Sequence, residues 1–291
     1  MKNKPLLFIL IVCIISWIAS AAFYLLGGDM QGISGVAFCS GLMFIPLLSV
    51  IITQSILHEP ILKDLGISFR FNRWFVVAAL LPIAINLLAL AVSTAFPSMR
   101  FSTETPLLQK ALEKMSEQIP GIDAYGLLGI SLLSGLFSSL TINAVVAFGE
   151  EIAWRSWLLK QFEGVSFLKT ALVIGVIWGI WHAPIILMGH NYPQHPTVGA
   201  AMMVLFCIMI TPVIQYIRIK AHSMIPAAIF HGAINAGAGL SMMYIDGFND
   251  LLGGLPGVAG FITLLIVNLV LFAIDKWVTK ENIYTGQIKL L

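Results

Sequence analysis

Glu150 and Glu151 stand side by side within the run Gly149–Arg155, inside an apolar stretch that reads as membrane-spanning helix, and Arg155 follows Glu151 by four residues. An ionisable group at the middle of a membrane helix costs about 2.5–3.5 kcal/mol, so such groups line cavities or pathways and carry function. At this spacing Glu151 and Arg155 share a helix face and can pair, which lowers the cost of burying both. Glu150 is rotated about 100° from Glu151. Left without a cation, it suits a general base, while Glu151 and Arg155 take a supporting part by bracing the helix.

Two further polar groups follow: Trp178-Gly-Ile-Trp181-His182, then His231 with Asn235 four residues on, on one helix face. Depth can be counted from the nearest cation on the same helix: ten residues from Lys160 to Glu150, thirteen from Lys169 to His182, eleven from Lys220 to His231. These are ~15, ~20 and ~16 Å at helical rise. Three helices therefore bring a polar group to nearly one level, which implies a shared site near mid-membrane, read as open to the cytoplasm. Taken singly, each feature has a plainer explanation. A lone His182 is as well explained by a structural hydrogen bond, Asn235 by interhelical contact, and Trp154, Trp157, Trp178 and Trp181 by packing or interface anchoring. His58, His190, His195 and His222, near loops or span ends, read as solvated or interfacial.

The elements that must position these residues are membrane helices. With 58% hydrophobic and 10% charged residues and a mean hydropathy of +0.93, the chain reads as an all-α polytopic bundle. Apolar stretches at about 5–27, 32–56, 74–96, 125–148, 167–189, 198–217, 223–244 and 256–275 predict about eight transmembrane helices in a single membrane domain over 1–291, its motif-bearing core at about 125–245. The first stretch, behind Lys2 and Lys4, is read as an uncleaved anchor. Segment 134–162 is read as one helix. Eight spans with a cytoplasmic N-terminus put 13 of the 16 cations on the cytoplasmic side, leaving Arg100, Lys110 and Lys114 outside, and both termini become cytoplasmic. Those three fall in 97–124, an interfacial loop with a short helix between Pro106 and Pro120. The net charge of +2 comes from scattered residues with no basic run, which argues against a nucleic-acid partner. Cys13, Cys39 and Cys207 read as packing residues. The chain lacks internal repeats and paired broken helices, which counts against a proton-coupled transporter using Glu150, Glu151 and His182 as a relay.

In their order along the chain, Glu150-Glu151-x-x-x-Arg155, an aromatic four residues ahead of His182, and His231-x-x-x-Asn235 resemble the CPBP intramembrane proteases, the family of type II CAAX prenyl endopeptidases and of bacteriocin-processing and immunity proteins. Trp178 stands where the family's second motif usually has Phe, which keeps an aromatic there. The resemblance implies peptide-bond hydrolysis at a membrane-associated protein or peptide substrate. Glu150 would activate water with help from His182, and His231 and Asn235 would donate to the oxyanion. Glu150, His182 and His231 also make up the two-His, one-Glu set of some catalytic zinc sites. Asn235 beside His231 suits oxyanion binding better than ligation, so the metal-free mechanism is slightly favoured. The alternative function is a non-catalytic membrane scaffold or bacteriocin immunity protein of the same fold. Short loops and compact length point to a prokaryotic cell membrane.

Overall fold

The computed structural model describes residues 3–290; Lys2, one of the cations used for orientation, lies outside the described residues. Helix α1 (Lys4–Leu25) leads into α2 (Ile33–Leu42) and α3 (Ile45–Ile56), which form one span interrupted ahead of Pro46. Then come α4 (Arg73–Ser93), strand β1 (Arg100–Phe101), α5 (Pro106–Ser116), α6 (Ala124–Ser139) and α7 (Ile142–Glu151). A π-helical segment, Ile152–Leu158, joins α7 to α8 (Leu159–Gln161). The chain continues through α9 (Phe167–Leu187), α10 (Pro196–Ala221), α11 (Ile225–Gly237), α12 (Leu240–Tyr244), strand β2 (Ile245–Asp246) and α13 (Val258–Ala273), which ends in a second π turn, Ile274–Val278. This is an all-α integral membrane protein; its two short strands pair antiparallel, Arg100 opposite Asp246.

Among the described residues, six helices are long and apolar enough to cross a membrane, or seven if the bent pair from α6 to α8 is one span. Two readings are corrected here. Segment 134–162 is not one helix: it bends by 52° at residues 140–141 and turns π-helical after Glu151. At the bend the Thr141 hydroxyl donates to Phe137 O (2.8 Å) and the Ser139 hydroxyl to Leu136 O (2.7 Å), the side-chain competition that bends helices. The seventh predicted span, 223–244, is instead two short helices. Its start lies beside the 66–68 turn, Met224 N–H donating to Gly66 O, and its end pairs with β1 at the far end of α4. It thus runs from one end of the bundle to the other without being a long apolar helix. Helix α5 falls where Pro106 and Pro120 predicted one, capped by Thr105, whose hydroxyl accepts from Leu108 N–H at 3.2 Å.

Close backbone approaches lock the motif-bearing helices together. A Cβ on Gly179 or Gly175 would sit 2.5 Å from Val204 Cα or 2.7 Å from Ile208 Cα, so these small residues let α9 lie directly on α10. A Cβ on Gly232 would meet Asn143 of α7 at 2.8 Å, which sets α11 against the helix that carries Glu150.

Candidate catalytic site

Helix α7 ends on two carboxylates that are buried in different ways. Glu150 Oε2 accepts from the Trp178 indole at 2.6 Å and from the Trp154 indole at 3.3 Å, while no described residue donates to Oε1. Glu151 Oε1 accepts from Arg155 Nη1 at 3.0 Å and lies 2.8 Å from His231 Nδ1. The pair expected at i, i+4 therefore persists into the π segment, and it recruits His231. Arg155 Nη2 also donates to Thr211 at 3.2 Å, and its guanidinium lies 4.1 Å from the centre of the Trp178 ring, in cation–π range.

Trp178 is the hub of the cluster. Its N–H holds Glu150, its face meets Arg155, and its ring centre lies 5.6 Å from His182 and 5.3 Å from His231. His182 Nδ1 lies 2.8 Å from Trp178 O. A carbonyl only accepts, so the proton sits on Nδ1 and Nε2 is the acceptor of the neutral ring. By the same argument a carboxylate at His231 Nδ1 places that ring's proton there. Asn235, one turn after His231, is exposed, and its side chain bonds to no described residue.

Glu150, His182, His231 and Asn235 all line one cavity of about 490 Å³. The lining continues to His190, Asn191, Leu255 and Pro256, in loops at the end opposite the N-terminus. The cavity thus extends away from the end at which a cytoplasmic opening was expected. His190, read as interfacial, borders it as well, its Nδ1 3.8 Å from Cys39 Sγ. Burial pulls the His190 imidazole down to about 4, so it faces the cavity neutral.

The two-His, one-Glu set does not fit a metal in this arrangement. Among the described residues no three His, Cys, Asp or Glu side chains gather closely enough to hold one. Nδ1 of each histidine and Oε2 of Glu150 are held by protein partners, which leaves Nε2 of both rings and Oε1 of Glu150 as the free atoms of the set, and no step is derived through a metal.

Residues 131–237, which hold Glu150, Glu151, Arg155, His182, His231 and Asn235, match the family model described as type II CAAX prenyl endopeptidase Rce1-like. Over these residues the chain is similar to the CPBP intramembrane proteases that its motifs resemble. A curated relative from Methanococcus maripaludis, named CAAX prenyl protease 2, is 27% identical over 114 residues, 37% of this chain. The match spans 42% of that relative's own length.

Within this core, sequence reasoning missed the contacts of Trp154 and Trp178 with Glu150. Trp154 lies four residues after Glu150, a spacing that could have flagged it. Trp178 and Thr211 come from other helices and leave no such signal.

Proposed function

We propose that this chain is an intramembrane endopeptidase that hydrolyses a peptide bond with a water activated by Glu150 and His182. The observation that supports this most is the free oxygen of Glu150, set in a cavity with His182, His231 and Asn235. Glu150 Oε1 and His182 Nε2 are both acceptors. A water that donates one hydrogen to each turns its lone pair outward, toward a carbonyl carbon lodged in the cavity.

As the water oxygen bonds to that carbon, one of its protons passes to Glu150. The carbonyl π bond breaks, and the oxyanion is met by the Asn235 amide, beside His231, whose ring Glu151 orients through Nδ1. Collapse re-forms the carbonyl and breaks the C–N bond, and the Glu150 proton goes to the departing amine. A new carboxylic acid and a new amine result, with Glu150 ionised again. Arg155 balances the charge on Glu151 and packs on Trp178, so the residues that brace the site also orient Glu150.

The substrate is a membrane-associated protein or peptide. The cation distribution favours both termini in the cytoplasm, short loops and compact length favour a prokaryotic cell membrane, and the metal-free mechanism keeps its preference. Terminal-peptide proteomics on cells expressing wild type or Glu150→Ala at matched abundance tests the proposal. Peptide ends seen only with wild type are the expected result. Identical sets of ends would favour the scaffold or immunity reading. One zinc per purified chain, lost in His182→Ala, would overturn the metal-free mechanism.

A further inference from the structure

At the end of the bundle that holds the N-terminus, a second cavity of about 510 Å³ lies beside the π-helical segment. It shares no lining residue with the one at Glu150. Its walls come from the 62–67 turn, Ser156, Lys160 and Arg218. Arg218, on α10, is only 3% exposed. Its Nε donates to Arg155 O at 3.2 Å, but among the described residues no carboxylate pairs with it and nothing accepts from Nη1 or Nη2. Gly66, in the left-handed region at φ +64°, lies against Nη2, where a Cβ would overlap that nitrogen. The turn is thus shaped around the guanidinium fork and leaves its outer nitrogens at the cavity.

A buried guanidinium without an acceptor is unfavourable, and its planar fork is matched by the oxygens of a phosphate. The other charged groups at this cavity are Lys160, Asp64 and Glu163, all exposed. Lys160 Nζ donates to Asp64 O at 3.3 Å, and Glu163 Oε1 accepts from Leu290 N–H at 3.2 Å. Solvent and salt screen these rim charges, whereas the floor guanidinium is desolvated, so the deepest part of the cavity selects an anion.

We propose that this cavity binds a phosphate group through Arg218, with Lys160 at its rim, as the phosphodiester of an anionic lipid headgroup or as free phosphate. Basic pockets between membrane helices at the cytoplasmic end are a recurrent way of holding such headgroups. Because Arg218 also holds the backbone of Arg155, an occupied site would tie the bilayer surface to the segment that braces Glu151. The proposal does not depend on the hydrolytic reading.

Native mass spectrometry of the full chain released from phosphatidylglycerol or phosphatidylcholine nanodiscs tests the lipid arm. Thermal unfolding in detergent with added inorganic phosphate tests the free-anion arm. Wild type is expected to retain phosphatidylglycerol roughly tenfold better than Arg218→Gln and about threefold better than Lys160→Gln, with Arg100→Gln at the opposite end unchanged. A phosphate-dependent rise in Tm that is lost in Arg218→Gln, without selective lipid retention, would assign the site to free phosphate. Should Arg218→Gln fail to fold, the exposed Lys160→Gln carries the comparison. Equal lipid retention and equal phosphate response in wild type and both variants would overturn the proposal.

Discussion

Among the described residues there are two π-helical segments, one following Glu150 and Glu151 and the other containing Asp275. At the first, Glu150 is 1% exposed; at the second, Asp275 is also 1% exposed. Asp275 Oδ2 accepts from Tyr284 N–H at 3.0 Å and so ties the end of α13 to the tail, while its other oxygen is sealed in without a partner. Glu150 is likewise held through one oxygen, by two indoles, but it borders a cavity that two histidines and an asparagine also line. Burial of an acid thus does not by itself mark chemistry. Each acid has an unpaired oxygen; space for a reactant and neighbouring acceptors and donors separate the two regions.

That contrast can be broken or sharpened by substitution, measured on wild type and variants reconstituted in liposomes with a substrate found by terminal proteomics. His182→Ala should show the largest loss among the neighbours of Glu150, about 10³-fold in kcat, as expected for a residue that holds and polarises the water. Asn235→Ala should lower kcat about 10²-fold through loss of one oxyanion donor, with KM little changed. Trp178→Phe keeps the ring over Arg155 and deletes only the N–H to Glu150. It should reduce kcat roughly tenfold, the scale of one hydrogen bond to a charged group. Asp275→Asn should leave kcat within about twofold and lower stability by ~1 kcal/mol, read as a drop in Tm. Equal kcat losses for Asn235→Ala and Asp275→Asn would dissolve the distinction between the regions.

Much of the site was legible because helix periodicity is local. Glu151 and Arg155 pair as their spacing implied, and Glu150, His182 and His231 border one cavity, as their similar depths suggested, with Asn235 one turn from His231. The short helix α5 could likewise be read from two prolines. What escaped depends on tertiary contact or backbone detail. Apolar runs average over a break such as Leu140–Thr141, so a bent pair looks like one helix and 223–244 looks like one span. His231 was assigned beside Asn235, but its Nδ1 partner, Glu151, lies on another helix. The cavity's reach toward His190 and Pro256 is set by loops whose placement no periodicity encodes.

The most direct test of the central claim is the cleavage rate of Glu150→Gln beside Asp275→Asn, at matched folded protein in the same liposomes. The amide keeps the shape of each side chain and cannot take a proton from water. The account predicts a loss of about 10³-fold or more for Glu150→Gln and a rate within about twofold of wild type for Asp275→Asn. A Glu150→Gln protein that cleaves at the wild-type rate would contradict it.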